Sequence, residues 1–208
     1  MPRRSPTRVG GTTGILENLE DRAREIVAEA RKLLEEEGVG GLSMRKLAER
    51  LRMRAPSLYK HFASKESLES FLIGIGFEEQ GALFEAALRS SAEPLVNMAR
   101  TYRAYARKHP ALYRLMYDRE LNRQLLPEGS EQRAALPVVT AAGGDPDLAR
   151  AAFAFAHGMT ILELNQRFPP DANLEAAWQR GITALQKQVA TRHPRRRRVA
   201  PSGGPKRQ

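Results

Sequence analysis

Between Ser43 and Lys65 the chain reads SMRKLAERLRMRAPSLYKHFASK, a run rich in side chains that grip nucleic acid. Phosphate oxygens are held by hydroxyls, cations and helix N-termini. Ser43, Arg45, Ser57, Tyr59, His61 and Lys65 are of those types. Lysine and arginine also donate to guanine O6 and N7 in the major groove, which makes Lys60 the first choice for base readout and Arg45 the second. The elements that must position them are two short helices and a turn. Leu47, Ala48 and Leu51 recur at helical spacing behind Ser43 as N-cap. Arg52-Met53-Arg54 is the turn, and Pro56 takes the first position of the second helix. Leu58 and Phe62 share an inward face, leaving Ser57, Tyr59, Lys60 and His61 to point partly or wholly outward. A short, basic-faced helix behind a tight turn has the dimensions the major groove admits.

Other chemistries find little support. His61, His109, His157 and His193 are scattered, and there is no cysteine, so no metal site and no disulfide framework is expected. The motifs G-x-S-x-G, Walker lysine and H-E-x-x-H do not occur. Gly74-Ile75-Gly76 lacks the preceding strand and the third glycine of a dinucleotide loop. No catalytic function and no cofactor is expected. His157 lies mid-helix in FAFAHGMTILEL, where a core or interface histidine is the expectation, and Gly158 beside it suggests close approach of another helix.

The 208 residues carry a formal net charge of +10, unevenly spread. Residues 1–65 hold 14 Lys/Arg against 9 Asp/Glu, residues 66–190 hold 13 against 15, and residues 191–208 hold 7 against none. A basic N-terminal module with a slightly acidic remainder suits a DNA binder that has a separate second domain. Residues 1–14 and 191–208 read as disordered basic segments. Neither a secretory signal nor a membrane-spanning run is apparent, so a cytoplasmic location is expected.

Helical periodicity runs through the rest. A first helix is predicted from Leu19 or Asp21 to Glu37, with Ile26, Val27, Ala30, Leu33 and Leu34 inward and Gly38 as a left-handed cap. Its C-terminal Glu35-Glu36-Glu37 opposes the helix dipole. Ser64 caps a long helix whose Gly74 and Gly76 mark either close packing or a compliant link. Further helices follow from Pro94, from Ala111 to Leu121, from Asp147 to Phe168 and from Asp171 to Val189. Pro137 is expected to kink or restart residues 131–142, and Pro169-Pro170 to stop the helix before it.

The stretch RAPSLYKHFxxK resembles the recognition helix and following turn of TetR-family transcriptional regulators, in a pattern that runs from Arg22 to Leu72. The resemblance implies phosphate contacts from Tyr59, His61 and Lys65, and positions near bases for Arg45, Pro56 and Lys60. The family usually carries glycine where this chain has Arg52. From Pro94 onward, HPALYRLM and an aromatic-x-x-x-His-Gly-x-x-x-Leu-Glu pattern at Phe153 resemble the C-terminal domain of one TetR subgroup. An all-α chain is therefore expected: a three-helix helix-turn-helix module over residues 15–70 and a helical regulatory and dimerisation domain over 71–190. The expected partners are a double-stranded DNA operator, a second copy of the chain and a small-molecule effector that releases a repressor from a palindromic site. The effector is expected among Met98, Tyr102, Tyr113, Met116, Tyr117, Phe153 and His157, between helices 94–122 and 147–168. The alternative is a DNA-bound regulator whose helical domain binds a protein partner and no small molecule. Helices 147–168 and 172–190 are the expected dimer interface, as a four-helix bundle.

Overall fold

A computed structural model describes residues 13–192, and side chains over 14–189; the basic segments 1–12 and 193–208 lie outside the described residues. All regular structure among these residues is helical. The helices are α1 (Thr13–Glu17), α2 (Asp21–Gly41), α3 (Met44–Arg50), α4 (Ala55–Leu58), α5 (Lys65–Arg89), α6 (Pro94–Lys108), α7 (Pro110–Tyr117), α8 (Ser130–Ala141), α9 (Pro146–Leu164) and α10 (Leu174–Arg192), with a 3-10 turn at Arg123–Leu125. Thr13 and Gly14, expected in a disordered arm, open α1 instead.

The first helix behaves as its pattern demands. Ala23, Ile26, Val27, Ala30, Leu33 and Leu34 are buried along one face of α2. Gly38 breaks it at φ 72, the conformation glycine adopts at least cost. The acidic run at its end is accounted for by partners outside the helix. The Glu35 carboxylate accepts from the backbone N–H of Ala111 (3.2 Å) and Leu112 (3.4 Å), so it caps the N-terminus of α7. Glu37 pairs with Lys46 and Arg50, and Glu36 with Arg50, which tie α2 to α3. Beside Glu35, Arg31 reaches Glu79 of α5 at 3.2 Å, and the Tyr105 hydroxyl of α6 donates to the same carboxylate at 2.6 Å.

Helix α5 is the axis. It begins on a reciprocal cap, with the Ser64 hydroxyl accepting from Ser67 N–H and the Ser67 hydroxyl from Ser64 N–H, both at 3.0 Å. Leu68 and Leu72 pack on the N-terminal core, while Phe84 and Ala87 reach a second one. The expected boundary between residues 70 and 71 falls inside this helix. A Cβ on Gly74 would lie 2.6 Å from the Pro127 ring, and one on Gly76 would lie 2.4 Å from Met116 Sδ. Close packing, rather than a compliant link, accounts for both glycines.

Four terminal or internal signals differ from expectation. Helix α7 stops at Tyr117, four residues early, with Asp118 as its C-cap. Helix α8 runs unbroken through Pro137. The missing proline N–H releases the Arg133 carbonyl, and that oxygen lies where a side chain on Gly81 of α5 would stand. Helix α9 ends at Leu164, before the two prolines, in a Schellman turn: Gln166 N–H bonds Glu163 O, Arg167 N–H bonds Leu162 O, and Gln166 takes φ 52. Asn173, rather than Asp171, caps α10 through Ala176 N–H at 3.0 Å.

The last helix is fixed by polar clasps. Arg103 of α6 binds Glu163 of α9 at 3.0 Å and Glu175 of α10 at 2.8 Å, while standing 5.3 Å above the Trp178 ring, whose N–H also donates to Glu163. Gln186 Oε1 accepts from Leu95 N–H at 2.9 Å and so caps α6.

Removing the Glu35 carboxylate strands two helix-start donors. Glu35→Ala is expected to lower unfolding free energy by about 1–2 kcal/mol, since bonds to charged groups are stronger than neutral ones and this carboxylate is partly exposed. Urea unfolding followed by circular dichroism measures it; a midpoint equal to the parent's would remove Glu35 from the list of stabilising groups.

Candidate nucleic-acid interface and effector cleft

The stretch Ser43–Lys65 folds as a pair of short helices on a rigid support. Ser43 accepts from Lys46 N–H at 3.2 Å and caps α3. Leu42, Met44, Leu47, Ala48, Leu58 and Phe62 are buried in the N-terminal core, and Phe62 meets Phe71 edge-on with ring centroids 5.8 Å apart. Between α3 and α4 the chain turns in a Schellman motif: Arg52 N–H bonds Glu49 O at 3.1 Å and Met53 N–H bonds Ala48 O at 2.8 Å. Arg52 sits at φ 51, in the left-handed region that glycine occupies most cheaply. Pro56 takes the second position of α4, behind Ala55. The helix proper is four residues long, but Phe62 N–H still bonds Leu58 O at 3.0 Å, so the coil continues through Tyr59 and His61.

The cations of this unit divide by partner and exposure. Lys46 and Arg50 are taken up by the glutamates of α2. Arg52, Arg54 and Lys60 are exposed and form no ion pair among the described residues. Arg45 is 82% exposed and has only a loose contact of 3.9 Å with Glu49. Tyr59 is 49% exposed, Pro56 is exposed, and Ser57 and His61 are half-buried. Lys65, in the first turn of α5, pairs with Glu69 at 3.3 Å. The fold thus brings Arg45, Pro56, Tyr59 and Lys60 to the solvent side of one small unit, with Ser43, Ser57, His61 and Lys65 partly exposed around them. Arg52 and Arg54 join this surface. Their charge was visible in the sequence, but their exposure depends on the turn.

A second feature is a cleft of about 690 Å³ between α5, α7, α8 and α9. Phe77, Phe84, Met116, Tyr117, Val138 and Phe153 supply apolar walls, with Gln80 among them. Of the seven residues expected to hold an effector, Met116, Tyr117 and Phe153 line this cleft. Met98, Tyr102, Tyr113 and His157 do not line it. Met98 is buried in the second core. The other three form a hydrogen-bonded string behind the wall: Tyr102 and Tyr113 hydroxyls are 3.0 Å apart, and Tyr113 Oη lies 2.7 Å from His157 Nδ1. Burial pushes the Tyr113 hydroxyl up to about 12 and holds the His157 imidazole below its ordinary value, so at neutral pH the ring is uncharged. Tyr117 rests against Phe153 and His157 at centroid separations of 5.6 and 5.5 Å.

The walls contributed by α5 and α8 escape sequence reading. Nothing in the sequence places Phe77 and Phe84 opposite Val138, and Pro137 argued against a continuous α8. Gln80 follows Glu78 and Glu79 in the sequence, so composition carries no mark of its burial. It is 1% exposed, its Oε1 accepts from the Tyr117 hydroxyl at 2.7 Å, and its Nε2 has no partner. Gly158, expected against another helix, has nothing within 4 Å of a built Cβ. Among the described residues no group of side chains has the arrangement of a metal site, and no helix is long and apolar enough to cross a membrane.

Comparison with known proteins converges on one family. The model for "Bacterial regulatory proteins, tetR family" matches residues 26–69, and that for "Tetracyclin repressor-like, C-terminal domain" matches residues 95–185. No curated protein sequence matches. Among solved structures, a protein of unknown function from Rhodococcus sp. RHA1 is similar at 24% identity, covering 82% of this chain and 96% of that one, with a TM-score of 0.67. The multidrug binding protein EbrR, complexed with imidazole, aligns at 22% identity over 80% of this chain and 90% of its own, with a TM-score of 0.55. BioQ with its natural double-stranded DNA operator aligns at 22% identity over 84% and 99%, with a TM-score of 0.53. At these identities the likeness is one of fold. The two family models together span the helix-turn-helix unit and most of the helical remainder, and the chain is a member of the TetR family of transcriptional regulators.

Proposed function

We propose that this regulator binds an operator as a homodimer, reads it with the α3–α4 unit, and leaves it when a small molecule enters the cleft. One observation carries the DNA half of this reading: Arg45, Arg52, Arg54 and Lys60 stand exposed on one rigid unit while neighbouring cations are neutralised. Lys60 and Arg45 approach base edges, and Tyr59, His61, Ser57, Ser43 and Lys65 hold phosphates, with Pro56 in contact with the groove wall. Lys65 exchanges Glu69 for phosphate on binding. The likeness in fold to BioQ, solved with its operator, supports the same docking mode.

Helices α9 and α10 supply the dimer surface. Ala151, Ala154, Gly158 and Leu162 recur at helical spacing along α9, with Leu162 40% exposed and Gly158 open to a neighbour. Two copies of α9 and α10 make a four-helix bundle. A twofold dimer calls for a pseudo-palindromic operator whose half-sites lie about one helical turn (~34 Å) or somewhat more apart. The open cleft favours a small-molecule effector over a protein partner, because a protein-docking domain has no need of an interior hollow. The expected direction of control is repression, with release on effector binding.

In vitro selection of DNA sites on the full-length protein tests this reading. An inverted repeat is expected; recovery of unrelated sequences, or of a single half-site, would overturn the dimeric reading. Lys60→Ala is expected to change base preference at one position per half-site by about 1–3 kcal/mol. A uniform loss over all sequences would make Lys60 a phosphate contact. Lys65→Ala should weaken every site alike and reduce the steepness of the salt dependence by about one phosphate. A slope equal to the parent's would exclude it from the interface.

A further inference from the structure

We propose that the effector of this regulator is an organic anion: an apolar, ring-bearing body with an acidic group at one end. The proposal rests on the reading of the cleft as the effector site and adds the chemical class. Three features of the walls carry it.

The first is the body. Phe77, Phe84, Tyr117 and Phe153 place four aromatic rings on a hollow of about 690 Å³, within the range that encloses a drug-sized molecule. Rings on several sides accommodate a flat apolar skeleton through stacked and edge contacts. The second is Gln80. Whichever way its amide is turned, the Tyr117 hydroxyl satisfies one of its two polar atoms and the other has no partner, although the side chain is 1% exposed. A buried unsatisfied amide is costly, and a polar atom on the ligand would relieve it.

The third is charge. The lining includes three cations, Arg119, Arg123 and Arg150, and a single carboxylate, Glu131. Each arginine is held by a carboxylate: Arg123 by Glu131 at 2.9 Å, Arg150 by Asp147 at 2.6 Å, and Arg119 by Glu69 at 3.5 Å. The Arg123 and Arg150 side chains are 69% and 74% exposed, and ion pairs so placed contribute little to the fold. Their guanidinium groups can therefore turn to an incoming acid, for which their planar fork is suited. Of these ion-paired groups the lining itself presents three arginines and one glutamate, while Asp147 and Glu69 stand outside it, so a cationic ligand would meet mainly like charge.

Two fluorogenic dyes with one skeleton separate the charge from the body. 8-Anilinonaphthalene-1-sulfonate carries an anion; N-phenyl-1-naphthylamine is the same ring system without it. Titrated into full-length protein, the sulfonate is expected to bind at least tenfold tighter than the neutral dye. The double variant Arg123→Gln/Arg150→Gln should erase that preference and leave the neutral dye unaffected. Ala135→Trp, on the exposed edge of α8, should block both dyes by filling the cleft, with a melting temperature near the parent's to show that the fold is intact. Equal binding of the two dyes to the parent would overturn the anionic class while leaving the cleft as an apolar effector site. Binding of the sulfonate that survives Ala135→Trp would place it elsewhere and also overturn the proposal. Failure of both dyes to bind the parent would overturn the effector reading itself.

Discussion

Helix α5 is enclosed by its neighbours, and that enclosure governs the molecule. Its first turns lie in the core that supports the DNA-reading unit, and its last turns lie in the core behind the cleft. Two buried acids along it are matched by cations: Glu69 by Lys65 of its own first turn and by Arg119 beyond α7, and Glu78 by Arg133 of α8. A buried carboxylate left unpaired would be expensive, so these pairs fix rotation as well as position. Gly74, Gly76 and Gly81 let Pro127, Met116 and the Arg133 carbonyl come within reach of the backbone. A helix so confined has little room to shift without displacing α7 or α8.

The polar groups at its flank join the two functional regions. Glu79 on α5 binds Arg31 of α2 and Tyr105 of α6, and Arg31 lies 3.6 Å from Glu35, the carboxylate that caps α7. Four helices thus meet in one hydrogen-bonded patch. Burial and the nearby Arg31 both hold the His109 imidazole below its ordinary value, which keeps a further cation out of that patch near neutral pH. An acidic run that looks unfavourable at a helix end is, in the folded chain, divided between α3 and α7.

Local signals were legible and distant ones were not. Ser43, Ser64, Gly38 and the Leu58–Phe62 pair act within a few residues, so their spacing sufficed to place the helix-turn-helix unit and its exposed face. That Arg52 stands where glycine is favoured comes from the family resemblance rather than from spacing, and its φ of 51 agrees with it. Helix ends that depend on a Schellman turn without glycine, as at Gln166, carry no compositional mark, and the two prolines downstream drew attention from it. Pro137 does not interrupt α8 because the carbonyl it frees is accommodated beside Gly81, more than fifty positions away. The cleft was only half visible for the same reason. Tyr117 and Phe153 were identified from their aromatic character, but the opposing wall from α5 and α8 is a product of packing. Tyr102, Tyr113 and His157, chosen on that same character, satisfy one another instead.

The brevity of α7 has a mechanical meaning. Its eight residues rise about 12 Å from end to end. At the start, Glu35 of the DNA-reading half grips two backbone donors; at the finish, the Tyr117 ring forms part of the cleft wall. The span from the cleft wall to the support of the helix-turn-helix unit is therefore the length of this one short helix. A displacement of the cleft wall would reach the helix-turn-helix support through no long chain of intermediaries, but through a single strut clamped at one end and open to touch at the other.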